Sequence, residues 1–150
     1  MKKTVLRYGT YGFAVAFVLF LSGLYLDFTT NVLIGYATIL ASLIFVYFGI
    51  KHFRDAVNNG SITLKKALVI GLLISLFSAV GIAIADYIYT AYVNPDFFSD
   101  YAETMKIENP DAEVVEMTSG SAALFMFGVV MTLGFIISLI SALLLQRKNH

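Results

Sequence analysis

The feature that most limits what this chain can become is the spacing of its charges. Four stretches run for about the length of a membrane crossing without a single Asp, Glu, Lys or Arg. They are 8–26, bounded by Arg7 and Asp27; 31–50, closed by Lys51; 67–85, between Lys66 and Asp86; and 122–145, inside the uncharged run that ends at Gln146. A helix of roughly 20 apolar residues covers the ~30 Å hydrocarbon layer. In lipid each stretch must be a helix, because a lone strand would leave its backbone groups unpaired. Neither Pro95 nor Pro110 falls inside a span, so the helices are expected to be continuous. The expected fold is all-α: one domain over 1–150, built as a four-transmembrane-helix antiparallel bundle with a short extracytoplasmic interfacial helix.

Composition agrees. Charged residues make up 13% of the chain, about half the usual share for a soluble domain, ~25%. There is no cysteine, which excludes disulfides, thiolate metal sites and thiol nucleophiles. With His52 and His150 as its only histidines, the chain cannot build a histidine-rich metal centre. No cofactor, metal or nucleic-acid site is expected.

The formal net charge of 0 conceals strong sorting. Lys2, Lys3 and Arg7 precede the first span, Lys51, Arg54, Lys65 and Lys66 flank the middle loop, and Arg147 and Lys148 follow the last span. Lys106 is the one base on the other side, and Asp55 the one acid on the basic side. By the positive-inside rule the basic side is cytoplasmic. The expectation is a multi-pass membrane protein with both termini in the cytoplasm and the acidic 94–121 segment outside. The basic start and the Ala14-Val15-Ala16 triplet resemble parts of a removable leader. Cutting there would leave an apolar core of only 8–13, too short for one. The first span is expected to remain as an anchor.

The connections carry turn chemistry. The 27–30 stretch, "DFTT", predicts a tight outer turn. Asn59-Gly60 predicts a turn in the middle loop, and Thr63 an N-cap for the third span. Asn94-Pro95-Asp96 predicts cap, first helical residue and dipole-matched acid of the outer helix. Phe97, Phe98, Tyr101 and Met105 are expected to form its membrane-facing side, and Asn109-Pro110-Asp111 its end.

Few residues are candidates for chemistry. His52 and Asp55, three apart, share a helix face on which a general acid–base pair is possible. Lys51, Arg54 and Asp55 are also what an interfacial anchor contains, with a local Arg54–Asp55 ion pair, and anchoring is the better-supported role. Lys65 and Lys66, with Lys51 and Arg54, are placed to attract anionic headgroups, making membrane lipid the first expected partner. An ionisable residue inside a membrane is a functional candidate by default. Nineteen residues from Ala67 give about 28 Å of rise, which puts Asp86 at the outer boundary, within reach of water. Tyr87, Tyr89 and Tyr92 follow it as an aromatic belt, and Asp27 is expected in the same setting. The outer acids lack the spacing and glycine of an EF-hand and are read as a solvated surface.

Gly71, Ser75, Ala79 and Ala83 recur every four residues in the third span, as do Gly134, Ser138 and Ala142 in the fourth. Small residues at this spacing let helix backbones approach closely. Packing within the bundle is the favoured expectation, over packing against a second copy or another membrane protein. "KKTVLRYG" at Lys2 and "KKALVIG" at Lys65 both open spans that end at Asp, compatible with two related helical hairpins.

Three motifs, "FGIKHFRD…NGSITLKKAL" from Phe48, "NPDFFSDYAE" from Asn94 and "GFIISLISALLLQRK" from Gly134, resemble one bacterial family. It comprises small four-helix membrane proteins, common in Bacteroidota, catalogued only as a domain of unknown function. The resemblance implies a Gram-negative cell-envelope address, the bacterial inner (cytoplasmic) membrane, and no catalytic residue comes with it. Members of that family often carry a longer, charged, Met- and Glu-rich segment before the last span; here 102–120 is short. The resulting expectation is a non-enzymatic accessory or interaction subunit. Its rivals are a subunit of an oligomeric small-solute transporter or channel, and, less well supported, an interfacial lipid-modifying enzyme.

Overall fold

In the computed structural model of the chain, residues 1–27 and 31–147 are described. The expected outer turn over 27–30 and the base Lys148 lie largely or wholly outside them. Among the described residues five α-helices make up the fold: α1 (Lys2–Tyr25), α2 (Val32–His52), α3 (Leu64–Ile88), α4 (Phe97–Glu108) and α5 (Ser119–Leu145). α2 and α3 each finish in one wide turn, Phe53–Val57 and Tyr89–Val93. There the amide of Asn58 reaches back to the Phe53 carbonyl (2.9 Å) and that of Asn94 to Tyr89 (2.8 Å). α1, α2, α3 and α5 are long and apolar enough to cross a membrane.

Local chemistry sets the boundaries. Thr63 caps α3 as its sequence position suggests, accepting from the Lys66 amide (3.3 Å). Asn59 and Gly60 take φ of +52° and +79°, the left-handed pair that an Asn-Gly turn supplies at low steric cost. Thr118 and Ser121 close a reciprocal capping box at the start of α5. The outer helix departs from expectation at its start. Asn94 accepts from the Phe97 amide (3.1 Å) to make a turn, Pro95 stays outside the helix, and Asp96 is the N-cap without a side-chain bond. Its inward side also differs: Phe97, Phe98, Ala102 and Met105 are half-buried, while Tyr101 is 58% exposed. By helical angle Tyr101 falls between Phe97 and Met105, about 40° from each, so its place on the wheel does not explain its exposure.

The four long helices pack as a ring in the order α1–α3–α5–α2, with α3 also touching α2 across the middle. α1 runs parallel to α3: Gly9 meets Phe77, Gly12 meets Ser78 and Gly81 meets Phe13. α5 runs antiparallel to α3, Gly71 meeting Ser138 and Gly134 meeting Ser75. α2 opposes both α1 and α3 through Gly49, which meets Tyr8 and Ile74. The core along this axis is Leu43, Val46, Ile50, Ile70, Ile74, Ile82 and Val130, all fully buried.

Candidate functional site

Outside the spans, the most constructed region is the basic end. Arg54 lies in the wide turn after α2, which rotates its guanidinium back under the bundle, and it is 8% exposed. Nε and Nη2 donate to the two oxygens of Asp55 at 2.6 and 3.0 Å, while Nη1 donates to the Leu145 carbonyl at 3.4 Å. Leu145 is the last residue of α5, where the carbonyls lack intrahelical partners and the dipole favours a cation. The expected Arg54–Asp55 pair is present, and Arg54 also caps another helix across 91 positions of sequence. Beside it, Ile62 and Arg147 exchange two backbone hydrogen bonds of 2.9 Å each. The middle loop is thus fastened to the end of α5 at two points. Asn58 adds a brace within the loop, donating to the Ser61 carbonyl (2.7 Å).

His52 and Asp55 are not brought together as an acid–base pair. The His52 ring tilts against Tyr8 of α1, centroids 5.5 Å apart, and both Asp55 oxygens accept from Arg54. Lys66 turns to the Phe53 ring, its Nζ 5.1 Å from the centroid, while Lys51 and Lys65 are exposed. Among the described residues, no group of three or more His, Asp or Glu side chains is arranged to hold a metal.

Asp86 requires a correction. Expected at the water boundary, it is 7% exposed, and its Oδ2 has no hydrogen-bond partner among the described residues. The helix does not end there: with its wide turn it runs on to Val93, 30 residues from Leu64. A helix that long rises about 45 Å and overshoots the hydrocarbon at both ends. With the helix centred on the hydrocarbon layer near Ser78, Asp86 would lie about 12 Å from the midplane, inside a half-thickness of about 15 Å. On that placement Lys66 would lie in the headgroup layer rather than at the hydrocarbon edge from which the rise was counted. The α3–α5 register gives the level of Asp86 on its neighbour. It lies eleven residues beyond Ser75, and eleven before Gly134 is Ala123, next to buried Ala122. One turn further out, Tyr89 meets Tyr25 of α1 (5.5 Å) and Phe97 of α4 (6.0 Å), and Thr90 spends its hydroxyl on the Asp86 carbonyl (2.8 Å). Asp27 is exposed, with φ of +59°.

The small residues lie where α3 meets α5. A Cβ added to Gly71 would fall 2.5 Å from Ser138 Oγ, and one added to Gly134 would fall 2.5 Å from Ser75 Cβ. Each glycine receives the serine of the facing helix. Ala79 and Ala142 are buried; Ala83 is only half-buried. A strict four-residue repeat turns 40° further at each step, so Ala83 has rotated about 120° from Gly71. The buried seam instead alternates, through Gly71, Ser75, Ser78, Ile82 and Ala85. Ser78 is the residue the repeat passes over. Its hydroxyl donates to the Ser42 carbonyl of α2 (3.4 Å), beneath Gly12 of α1, so three helices meet at this point.

Long apolar helices, a charged clamp at one end and small-residue contacts in the interior define a small polytopic helical bundle of membrane-protein dimensions. The chain belongs to the family described as "Protein of unknown function (DUF4199)", whose model matches residues 7–147. This agrees with the resemblance carried by the three sequence motifs. Comparison with curated proteins and with solved structures gives no match.

Proposed function

We propose that this chain is an integral protein of a bacterial inner membrane, of the type found in Bacteroidota. In this reading both termini and the Arg54 clamp are cytoplasmic, α4 is outside, and the chain serves as a non-enzymatic accessory or interaction subunit. One observation carries it. The interior is closed at backbone contact, by Gly12 on Ser78, Gly71 on Ser138 and Gly134 on Ser75, so what the molecule offers other molecules is its two ends and its outer faces. The basic end is held in one shape by Arg54 and by the Ile62–Arg147 pairing. The outer end bears a cleft of about 420 Å³ between α4 and the approach to α5, lined by Phe98, Ser99, Glu116 and Met117 among others. The test uses single cysteines in this cysteine-free chain, at Asn58 and at Tyr101, crosslinked in intact cells. A partner of one defined mass joined from either position, and co-purifying with the unmodified chain in mild detergent, is the expected result. Lipid adducts alone from both positions would overturn the reading.

Asp86 favours a second reading, a subunit of an oligomeric transporter or channel. A carboxylate in the hydrocarbon zone costs ~2.5 kcal/mol or more, and such residues mark ion or substrate paths when other chains complete the site. Asp86→Asn then abolishes flux of the carried cation or proton in reconstituted vesicles; undiminished flux removes this reading.

A further inference from the structure

Between α1 and α3, on the side facing away from the rest of the bundle, lies a groove of about 380 Å³ lined by Thr10, Phe13, Leu76, Phe77 and Val80. Its floor exists because Gly9 has no side chain: Phe77 occupies that space, 2.6 Å from where a Cβ would stand. Thr10, the one polar residue in the lining, donates its hydroxyl to the Leu6 carbonyl at 2.6 Å. The lining therefore offers a ligand contacts but no free hydrogen-bond donor, which suits a hydrocarbon chain and no polar solute.

The two helices continue this groove toward the basic end at helical spacing. On α1 the line runs Phe13, Thr10, Leu6, Lys3; on α3 it runs Val80, Leu76, Leu73, Val69, Lys65. Leu6, Val69 and Leu73 are exposed apolar residues, and Lys3 and Lys65, also exposed, end the two lines, whereas Lys66 is turned to Phe53. From Lys3 to Thr10 the rise is about 10 Å, and from Lys65 to Leu76 about 16 Å. One leaflet holds about 15 Å of hydrocarbon, so Lys65 lies at its edge and Lys3 about 6 Å nearer the middle, a gap that a lysine side chain spans by reaching along the helix. An apolar slot beneath Lys3 and Lys65 complements one molecule: acyl chains below, negative phosphate above.

We infer that the α1–α3 groove is a binding site for an anionic glycerophospholipid, one acyl chain lying on Phe13, Leu76, Phe77 and Val80 and the headgroup held by Lys3 and Lys65. The site rests on the membrane placement of the bundle and not on which face is cytoplasmic. Each lysine near the headgroup contributes about fivefold in affinity.

The test titrates the full-length chain, purified in mild detergent, with phosphatidylglycerol and with phosphatidylcholine of the same acyl chains, read by native mass spectrometry. Phosphatidylglycerol is expected to bind first and with one-to-one stoichiometry. The double variant Lys3→Gln/Lys65→Gln, which touches no core residue, lowers that affinity about thirtyfold and leaves phosphatidylcholine binding in place. Thr10→Trp, an exposed position whose new ring lies over the groove, abolishes high-affinity binding of both lipids. Equal affinity for the two lipids in the unmodified chain would overturn the inference. So would unchanged phosphatidylglycerol affinity in the double variant, undiminished binding in Thr10→Trp, or a second copy of the chain crosslinked from Leu76→Cys in place of lipid.

Discussion

If α3 and α5 are specified by interlocking small residues, adding one methyl group to Gly134 must force them apart. Its new Cβ would lie 2.5 Å from Ser75 Cβ and 2.6 Å from Ser75 Oγ, about 0.9 Å inside the 3.4 Å at which ordinary contact begins. Ser75 cannot swing clear, because it is fully buried and its hydroxyl is bonded to the Gly71 carbonyl at 2.8 Å. The helices therefore separate locally, and a gap of 0.5–1 Å forfeits a quarter to a half of each dispersion contact along the seam. Overpacking of this kind costs about 1–3 kcal/mol. Against it stands the gain in helix propensity, about 0.5–1 kcal/mol for Gly to Ala. In a bilayer that gain is an upper bound, since the unpacked helix is still a helix. Gly134→Ala is expected to destabilise the bundle by about 1–2 kcal/mol.

Gly128→Ala, on the same helix with nothing within 4 Å of the added carbon, is expected to be neutral or stabilising by up to ~1 kcal/mol. The measurement is reversible unfolding in dodecyl sulfate followed by far-ultraviolet circular dichroism. Ser75→Gly restores the lost space, so Gly134→Ala/Ser75→Gly is expected to be more stable than the two single changes predict by about 1–2 kcal/mol. Equal stability of the two alanine variants, or strict additivity in the double variant, would refute the interlocked seam.

Three further outcomes follow from the clamp, the buried acid and the threading. Arg54→Ala removes the cation from the end of α5 and is expected to cost about 1 kcal/mol; amide hydrogen exchange at Leu144, Leu145 and Ile62 quickens while that at Ile74 does not. Asp86→Asn keeps the shape but has no charge to bury, so the bundle is expected to unfold at higher temperature near neutral pH, and a lower melting temperature would mean that the carboxylate has a partner. In intact cells a membrane-impermeant thiol reagent is expected to label a cysteine at Glu108 and to spare one at Asn58. The opposite pattern would invert the threading, and labelling of both would break the count of crossings.

Much of this architecture is legible in the sequence because lipid is a simple solvent. It admits helices of one approximate length, so charge-free runs announce α1, α2, α3 and α5, and short-range chemistry at Asn59-Gly60 and Thr63 announces what joins α2 to α3. Helix ends were less legible. A run without charge gives the least length of a span, whereas α3 continues to Val93, and that difference carries Asp86 from the edge to the interior. The Arg54–Leu145 contact was not legible at all. It depends on how the wide turn after α2 aims one side chain at a helix end 91 positions away, and nothing local to either residue signals the other. The one available clue was the Arg-Asp pair, since Asp55 leaves only part of the guanidinium fork occupied.

The same solvent explains why the interior looks as it does. In water a core is chosen by hydrophobicity, but here nearly every residue of the spans is apolar, and lipid tails compete on equal terms with Leu and Ile for the same surfaces. The exposed faces bear this out: Leu124, Phe125 and Leu144 of α5 point outward while Ser138 and Ser141 of the same helix are buried. Where helices come closest, size and backbone proximity decide, so serine and glycine line those contacts while Leu43, Val46 and Ile74 fill the wider spaces between them. A buried hydroxyl is tolerable on these terms only if a carbonyl lies within reach. Ser42, Ser75 and Ser78 each find one. Ser138 Oγ and Asp86 Oδ2 are the buried oxygens with no partner among the described residues. Ser138 is explained by Gly71, which needs a side chain of that size against it. Asp86 has no such steric account, since an alanine or leucine would fill a helix interior without burying a charge. That contrast makes Asp86 the first residue to change when an activity for this bundle is sought.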